Sequence, residues 1–378
     1  METKSIRLHS ELEKFRNIWE NALNSSGFRQ HPFVDFDWIN IYTKHFNKDL
    51  NLYINILNNR TKTIILPFCY INRGYKELNF VGGGLFDYND IISNSIEPQE
   101  IIDGFIRSSA DLIYLCRLRE DSLLFSVMEI FSRNNISGKS YKAVVKEVIG
   151  SPYIDLRDKN WDSYFASLKA KFRADLLRRF KKLSALGKLE FSYCKNPEEV
   201  LRVTGKLYEQ HIKRREYLGQ GRSIFTKNRM RAFFEELNNV LLSKSKLFLF
   251  YLKLNDEVIA IVECFLYKNV LYHYIPTFDV RYDKYSPGRI LNQQIIKFSI
   301  DNRFDELDFM VGDEGYKLEW NAKIRKIYDL FFLKNNLMGR LAMLDSSRRF
   351  FWKKMRYEIS KTKLRDFRRY IFKALYKK

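Results

Sequence analysis

Apolar residues recur along this chain in two rhythms, and the switches between them divide it into helices and strands. Leu12, Phe15, Trp19 and Leu23 fall at helical spacing and predict a helix over Ser10 to Leu23. HPFVDFDWINIYTKHF then predicts a short turn and a second helix. Leu52 to Leu57 and Thr63 to Ile71 are β-rich, and Asn58-Asn59-Arg60 between them predicts a hairpin. Glu77 to Val81 predicts a strand that runs into Gly82-Gly83-Gly84. Helical patterns at Glu97 to Ser109 and Ser122 to Asn134 enclose a short strand at Leu112 to Leu118, and Ala143 to Val148 predicts another.

After Pro152 the pattern starts again. A long basic helix is predicted over Trp161 to Leu186, a strand over Lys188 to Tyr193, and helices over Pro197 to Tyr217 and Thr226 to Leu242. Lys246 to Lys253 and Glu257 to Tyr267 form a predicted hairpin about Asn255-Asp256, with Val270 to Ile275 as its next neighbour. A helix from Pro287 to Asn302, a strand from Glu306 to Val311 and a last strand, Ile327 to Lys334, complete the second half. Both halves are therefore mixed α/β, and their similar order suggests a tandem duplication, although no residue-level repeat accompanies it.

With 378 residues and 46% hydrophobic content the chain exceeds one core of ordinary size. We divide it into domains at 1–150 and 151–337, with a basic amphipathic extension at 338–378. The net charge of +21 favours polyanionic partners: nucleotide phosphates, nucleic acid or an anionic membrane face. Basic residues cluster in Lys169 to Lys188 and again in Arg348 to Lys378, where Leu364, Phe367, Ile371 and Leu375 keep helical spacing. Such a helix can lie on an anionic inner leaflet, dock on the protein or contact RNA. No apolar run of about 18 residues occurs and the N-terminus lacks a signal core, so a cytoplasmic location is expected, with peripheral contact at the inner membrane face. Cys69, Cys116, Cys194 and Cys264 lack paired spacing and read as reduced core residues; no metal site is expected.

Two polar junctions carry the candidate chemistry. FDVRYDKYSPGRIL contains Asp279, then Ser286, Pro287 and Gly288 at a helix start. There the backbone N–H groups of Gly288, Arg289 and Ile290, with the Arg289 guanidinium, suit an anion. LDFMVGDEGYKLEW places Asp308 at a strand end, Asp313 and Glu314 in the next turn, then Tyr316, Lys317 and Trp320. The carboxylates suit a general base or hydroxyl-binding groups, Tyr316 a proton donor, Lys317 an oxyanion partner, and Trp320 either a stacking wall or core. Alternation puts Glu263 beside Ile259, Ile261 and Phe265 on one strand face, so it needs a polar cleft or a partner. His273 is a base or a hydrogen-bonded sheet histidine. In the first half, Asp87, Tyr88 and Asp90 after the triple glycine are candidate acceptor-binding residues, with a plain tight loop as the other reading.

From Pro152 to Trp320 the chain resembles the CelD/BcsL-type acetyltransferases of the GNAT superfamily. The resemblance lies in SPYIDL with Trp161 and Tyr164, KFRADLLRRFKKL, YDKYSPGRIL and LDFMVGDEGYKLEW; FDWINIY and FVGGGLFDYND extend it loosely into the first half. It implies two tandem GNAT-like domains, an arrangement shared with Fem-type aminoacyl transferases. It also implies acetyl transfer from acetyl-CoA to an amine or hydroxyl of a saccharide or lipid-linked saccharide. Its catalytic residues would be Tyr316, Lys317, Asp308 and Glu263. The cofactor would sit at Ser286, Gly288, Arg289 and Ile290, and the acceptor against Asp87, Tyr88, Asp279, Asp313, Glu314 and Trp320. The alternatives are a Fem-like transferase using aminoacyl-tRNA, or a non-enzymatic protein binding membrane or nucleic acid through its basic surface.

Overall fold

Long-range strand pairing sorts the predicted elements into two mixed sheets. A computed structural model of the protein describes residues 2–59, 61–95, 97–127, 141–312 and 314–361. Asp313, the end of the predicted Ser122 to Asn134 helix and the last part of the basic extension lie outside the described residues. The chain divides into one unit of Met1–Ser151 with Ile324–Phe350 and another of Pro152–Lys323 with Phe351–Lys378.

In the first unit the strands are β1 (Glu2–Ile6), β2 (Asn51–Asn58), β3 (Thr63–Asn72), β4 (Lys76–Phe80), β5 (Ile92–Ser93), β6 (Leu112–Arg119) and β7 (Tyr141–Glu147). β2, β3 and β4 form an antiparallel meander, the Pro98–Arg107 helix crosses over, and β6 returns parallel to β4. The Ile327–Lys334 strand, assigned by pattern to the second half, lies between β6 and β7 and pairs antiparallel with both. Its Leu330 and Phe332 join a core with Ile64, Leu66, Ile113 and Leu115, so cross-strand burial overrides position in the chain.

The second unit has β8 (Ser151–Asp155), β9 (Leu189–Tyr193), β10 (Leu247–Leu254), β11 (Glu257–Tyr267), β12 (Val270–Phe278) and β13 (Glu306–Asp308), in the spatial order β8-β13-β12-β11-β10-β9. The same motif recurs: meander β10-β11-β12, helix Pro287–Asp301, then β13 parallel to β12. The predicted Trp161 to Leu186 helix is two helices, Trp161–Ser167 and Ala170–Ser184. Leu168 between them is extended and 2% exposed, and the Arg173 guanidinium donates to the carbonyls of Ala166 and Leu168. Burying Leu168 and satisfying freed carbonyls stabilise the break.

β12 and β13 pair only at Val270 with Glu306, Leu271 with Leu307 and Tyr272 with Asp308. β12 continues to Phe278, whereas the other strand ends three residues before the expected Val311. The Asp308 carboxylate accepts the Met310 N–H at 2.8 Å and Met310 takes φ 63°, which turns the chain away. Two parallel strands thus part beside the Pro287–Asp301 helix, whose first turn carries one of the two polar junctions.

Candidate functional site

The basic helix and the two polar junctions meet around one cavity in the second unit, of about 640 Å³. Lys169, Lys171, Asp175 and Arg178 line it from the Ala170–Ser184 helix and its lead-in, Arg289 from the Pro-Gly helix start, and Gly315, Leu318 and Glu319 from the short Gly315–Leu318 helix. Phe172 supplies apolar wall. Arg289 bridges the two junctions, meeting Glu319 at 2.7 Å and Asp175 at 3.6 Å, with its guanidinium 5.8 Å from the Phe172 ring centre. Arg179 donates to Ser286 Oγ at 2.7 Å and to Asp175 at 2.6 Å. Burial pushes the Asp175 carboxyl up, but its hydrogen bonds to Arg179 and Arg178 outweigh that and hold it below the usual range, so it is ionised. Four cations against two carboxylates leave the lining net positive.

The backbone anion cradle drawn from the sequence is mostly occupied. Ser286 is left-handed, its N–H donates to Asp283, and its carbonyl accepts the N–H groups of Arg289 and Ile290 at 3.0 and 3.4 Å. Only the Gly288 N–H, of the three proposed, lacks a backbone acceptor. Anion capture here rests on side chains more than on the helix end. A Cβ at Gly288 would meet Phe278 at 3.8 Å, an ordinary contact, so neither space nor dihedral requires this glycine.

The Tyr316-Lys317 pair turns away from the cavity that its neighbours line. Lys317 is 5% exposed, with its ammonium 3.4 Å from the Met310 carbonyl, 3.3 Å from that of Gly312 and 2.9 Å from the Glu314 carboxylate. It pins the 308–317 loop, the reverse of a free oxyanion partner. Burial raises the Tyr316 phenol above its ordinary range, keeping it protonated, and Arg214 and Glu314 are in its field. Trp320 is core: fully buried, edge-on to Phe172 at 4.9 Å, its carbonyl accepting the Tyr164 hydroxyl at 2.7 Å. Asp308 is buried and holds the Met310 turn. Asp279 accepts the Arg281 N–H at 3.0 Å and its guanidinium at 2.6 Å, which makes it the cap of the Val280–Tyr285 turn.

Glu263 and His273 lie on opposite faces of their sheet. Cys264 faces the core with Ile290 and Ile295, and His273 stands across from it on β12. Glu263, one residue earlier, faces the Pro197–Tyr217 and Asn228–Ser243 helices, where it interacts with Tyr208 and Asn238. It is 1% exposed, and burial pushes its carboxyl up to about 8, so it is mostly protonated at neutral pH and stands apart from the cavity. His273 pairs with Asn292 at 3.0 Å and rests on Phe309; burial, aided by Lys317, lowers it to about 4, leaving it neutral.

In the first unit the triple glycine is a tight loop. Gly82 has φ 78°, and a Cβ there would come within 2.4 Å of the Phe86 ring. Asp87 pairs with Arg117 at 3.0 Å, Tyr88 is fully buried with its hydroxyl on Ser151, and buried Asp90 caps the N–H groups of Leu123 and Leu124. These contacts engage the three candidate acceptor-binding side chains within the first unit. All four cysteines are buried, and none forms a disulfide among the described residues.

Lys169, Lys171, Arg178 and Glu319 were not singled out by sequence reasoning. Their signal was the basic run and the EW that ends the second junction, but period alone does not say which side of a helix meets a cavity.

Residues 170–318 match the family described as acetyltransferase (GNAT) domain, and the matched stretch carries most of the cavity lining and both parting strands. Three solved structures share the fold at low identity. FemX is 11% identical, covers 91% of this chain and 99% of its own, and has a TM-score of 0.57. A conserved protein of unknown function from Bacteroides thetaiotaomicron is 12% identical over 88% and 99%, with a TM-score of 0.55. L-PGS from Bacillus licheniformis is 11% identical over 91% and 98%, with a TM-score of 0.51. No curated protein sequence matches the chain.

Proposed function

We propose that the second unit takes an acetyl group from acetyl-CoA and passes it to an amine or hydroxyl of a saccharide, as the CelD/BcsL resemblance implies. The observation that supports this is the net-positive cavity that Lys169, Lys171, Arg178 and Arg289 line together with Phe172. A diphosphate there would exchange the Glu319 contact of Arg289 for a charge-assisted pair, and Phe172 and Leu318 suit the apolar parts of the donor. In the transfer, the acceptor's lone pair bonds to the acyl carbon, the carbon–sulfur bond breaks, and the acceptor's proton leaves as the thiolate gains one. Glu314, its carboxylate 52% exposed and next in the chain to cavity-lining Gly315, is the base in this reading, and the thiolate takes its proton from solvent.

Calorimetry with acetyl-CoA tests this. Binding that weakens at least tenfold in Arg289→Met, together with a mass gain of one acetyl group on an amino-sugar oligosaccharide, is the expected result; no binding by the wild type sinks the reading. A second reading, aminoacyl-tRNA as donor, draws support from the exposed basic face of the Ala170–Ser184 helix, where Arg178 is 58% exposed. Tight tRNA binding without acetyl-CoA binding would select it.

The acceptor in our reading is lipid-linked. The Leu337–Lys361 helix is held on its inner side by Arg349 on Glu77 at 2.7 Å and Tyr75 on Asp345 at 2.8 Å. Outward, Leu337, Leu341 and Leu344 are 70%, 47% and 69% exposed, beside exposed Arg340 and Arg348. This apolar stripe with basic flanks suits an anionic bilayer surface. Cosedimentation with phosphatidylglycerol vesicles, lost in Leu341→Ser/Leu344→Ser and absent with phosphatidylcholine, is the expected result. No described helix is long and apolar enough to cross a membrane.

A further inference from the structure

The last turn of the Pro197–Tyr217 helix holds a cation with no anion beside it among the described residues. Arg16, Arg119, Arg179, Arg289, Arg325 and Arg349 each meet a carboxylate within 3.2 Å. Arg214 has no such partner among the described residues. Its only hydrogen bond among the described residues goes from Nη1 to the Pro276 carbonyl at a long 3.3 Å, and its guanidinium lies 5.2 Å from the Phe278 ring centre. Its Nε is buried and donates to nothing. Arg215, next in sequence, instead spends its guanidinium on the carbonyls of Gln220 and Gly221, so the helix end directs one arginine to a loop and the other inward.

Desolvating a guanidinium without a counter-charge is unfavourable. The C-terminal dipole of the helix offsets part of this, and the Glu314 and Asp283 carboxylates contribute an attractive field from outside ion-pair distance. Asp283 is already engaged by the Tyr217 hydroxyl at 2.8 Å. Tyr316 is protonated and makes no hydrogen bond among the described residues, and it lies close enough to interact with Arg214, so a hydroxyl donor accompanies the planar cationic fork. Phe278 is also the ring beside Gly288, whose N–H lacks a backbone acceptor.

We propose that Arg214, with Tyr316, forms an oxyanion-reading subsite for the acceptor, binding a carboxylate or phosphate that the acceptor carries close to its reacting group. The assignment rests on the acyl-transfer reading for its role, and the subsite itself on the unpartnered Nε and single long hydrogen bond of Arg214. An anion here would take both the fork and the buried Nε–H, a bidentate pairing that lysine does not reproduce.

The test is thermal unfolding of the full chain at constant ionic strength, titrated with inorganic phosphate in one arm and acetate in the other. It is run in an Arg289→Met background, which weakens anion capture by the cavity. At least one anion is expected to raise Tm, and the arm that responds identifies the oxyanion. Adding Arg214→Met should abolish that rise and, by removing an uncompensated cation, lift the ligand-free Tm by about 2–4 °C. Arg214→Lys should keep less than half of the anion effect. No shift with either anion, a shift that survives Arg214→Met, or a ligand-free Tm that falls in Arg214→Met would each overturn the proposal, the last by marking the guanidinium as a structural pin. Acetyl-CoA binding should be unchanged in Arg214→Met. If the wild type fails to bind acetyl-CoA while the anion effect remains, the transfer reading falls and the subsite stands.

Discussion

Replacing Glu263 with glutamine should flatten part of the pH dependence of stability. The carboxyl is 1% exposed on the helix-facing side of β11, and neither oxygen has a partner in hydrogen-bonding geometry. Burial lifts its pKa from 4.5 to about 8, with Asn238 pulling weakly the other way. Between those values the folded chain keeps a proton that the unfolded chain releases, so stability falls as pH rises through the window and levels off above it. At ~1.4 kcal/mol per pH unit, the full effect is about 5 kcal/mol. Glu263→Gln cannot ionise, so it should match the wild type near pH 4.5 and exceed it by several kcal/mol at pH 8.5. Urea unfolding of both proteins at half-unit steps measures the difference, in which Asp90 and the histidines cancel. A difference that stays constant from pH 5 to pH 8.5 would refute the reasoning, because it would require an ionised Glu263 with a compensating partner.

Gly82→Ala should destabilise the first unit by about 2 kcal/mol or more, since it combines a positive φ with a 2.4 Å approach to Phe86, while Gly288→Ala should shift the urea midpoint little and leave acetyl-CoA binding intact. Arg349→Ala strips a cation from Glu77, which is 1% exposed; Arg73 at 3.4 Å and Asn79 at 3.0 Å compensate in part, so a loss of about 2–3 kcal/mol is expected in chemical denaturation. Trp320→Ala should cost about 3–5 kcal/mol in the same assay, whereas Leu318→Ala, from a 40%-exposed site on the cavity, should cost under about 1 kcal/mol and instead weaken acetyl-CoA binding.

The sequence alone determined the element order. Alternation and helical spacing act within a few residues, so β2, β3, β10, β11 and the Pro287–Asp301 helix were legible, and with them the repeated meander, crossover helix and parallel strand. The Pro-Gly helix start and the acidic turn before Tyr316 were legible as polar interruptions of apolar runs. Tertiary structure alone decided which side of each polar residue meets solvent, core or cavity. It gave Ile327–Lys334 to the first sheet, broke the basic helix at Leu168, and turned Lys317 onto the carbonyls of its own loop. It put Glu263 on the face opposite His273, and left Arg214 without a carboxylate that chain spacing would have revealed. Each outcome depends on a partner distant in sequence, and the free energy of burying a charge or an apolar strand is set by that partner, which local pattern does not encode.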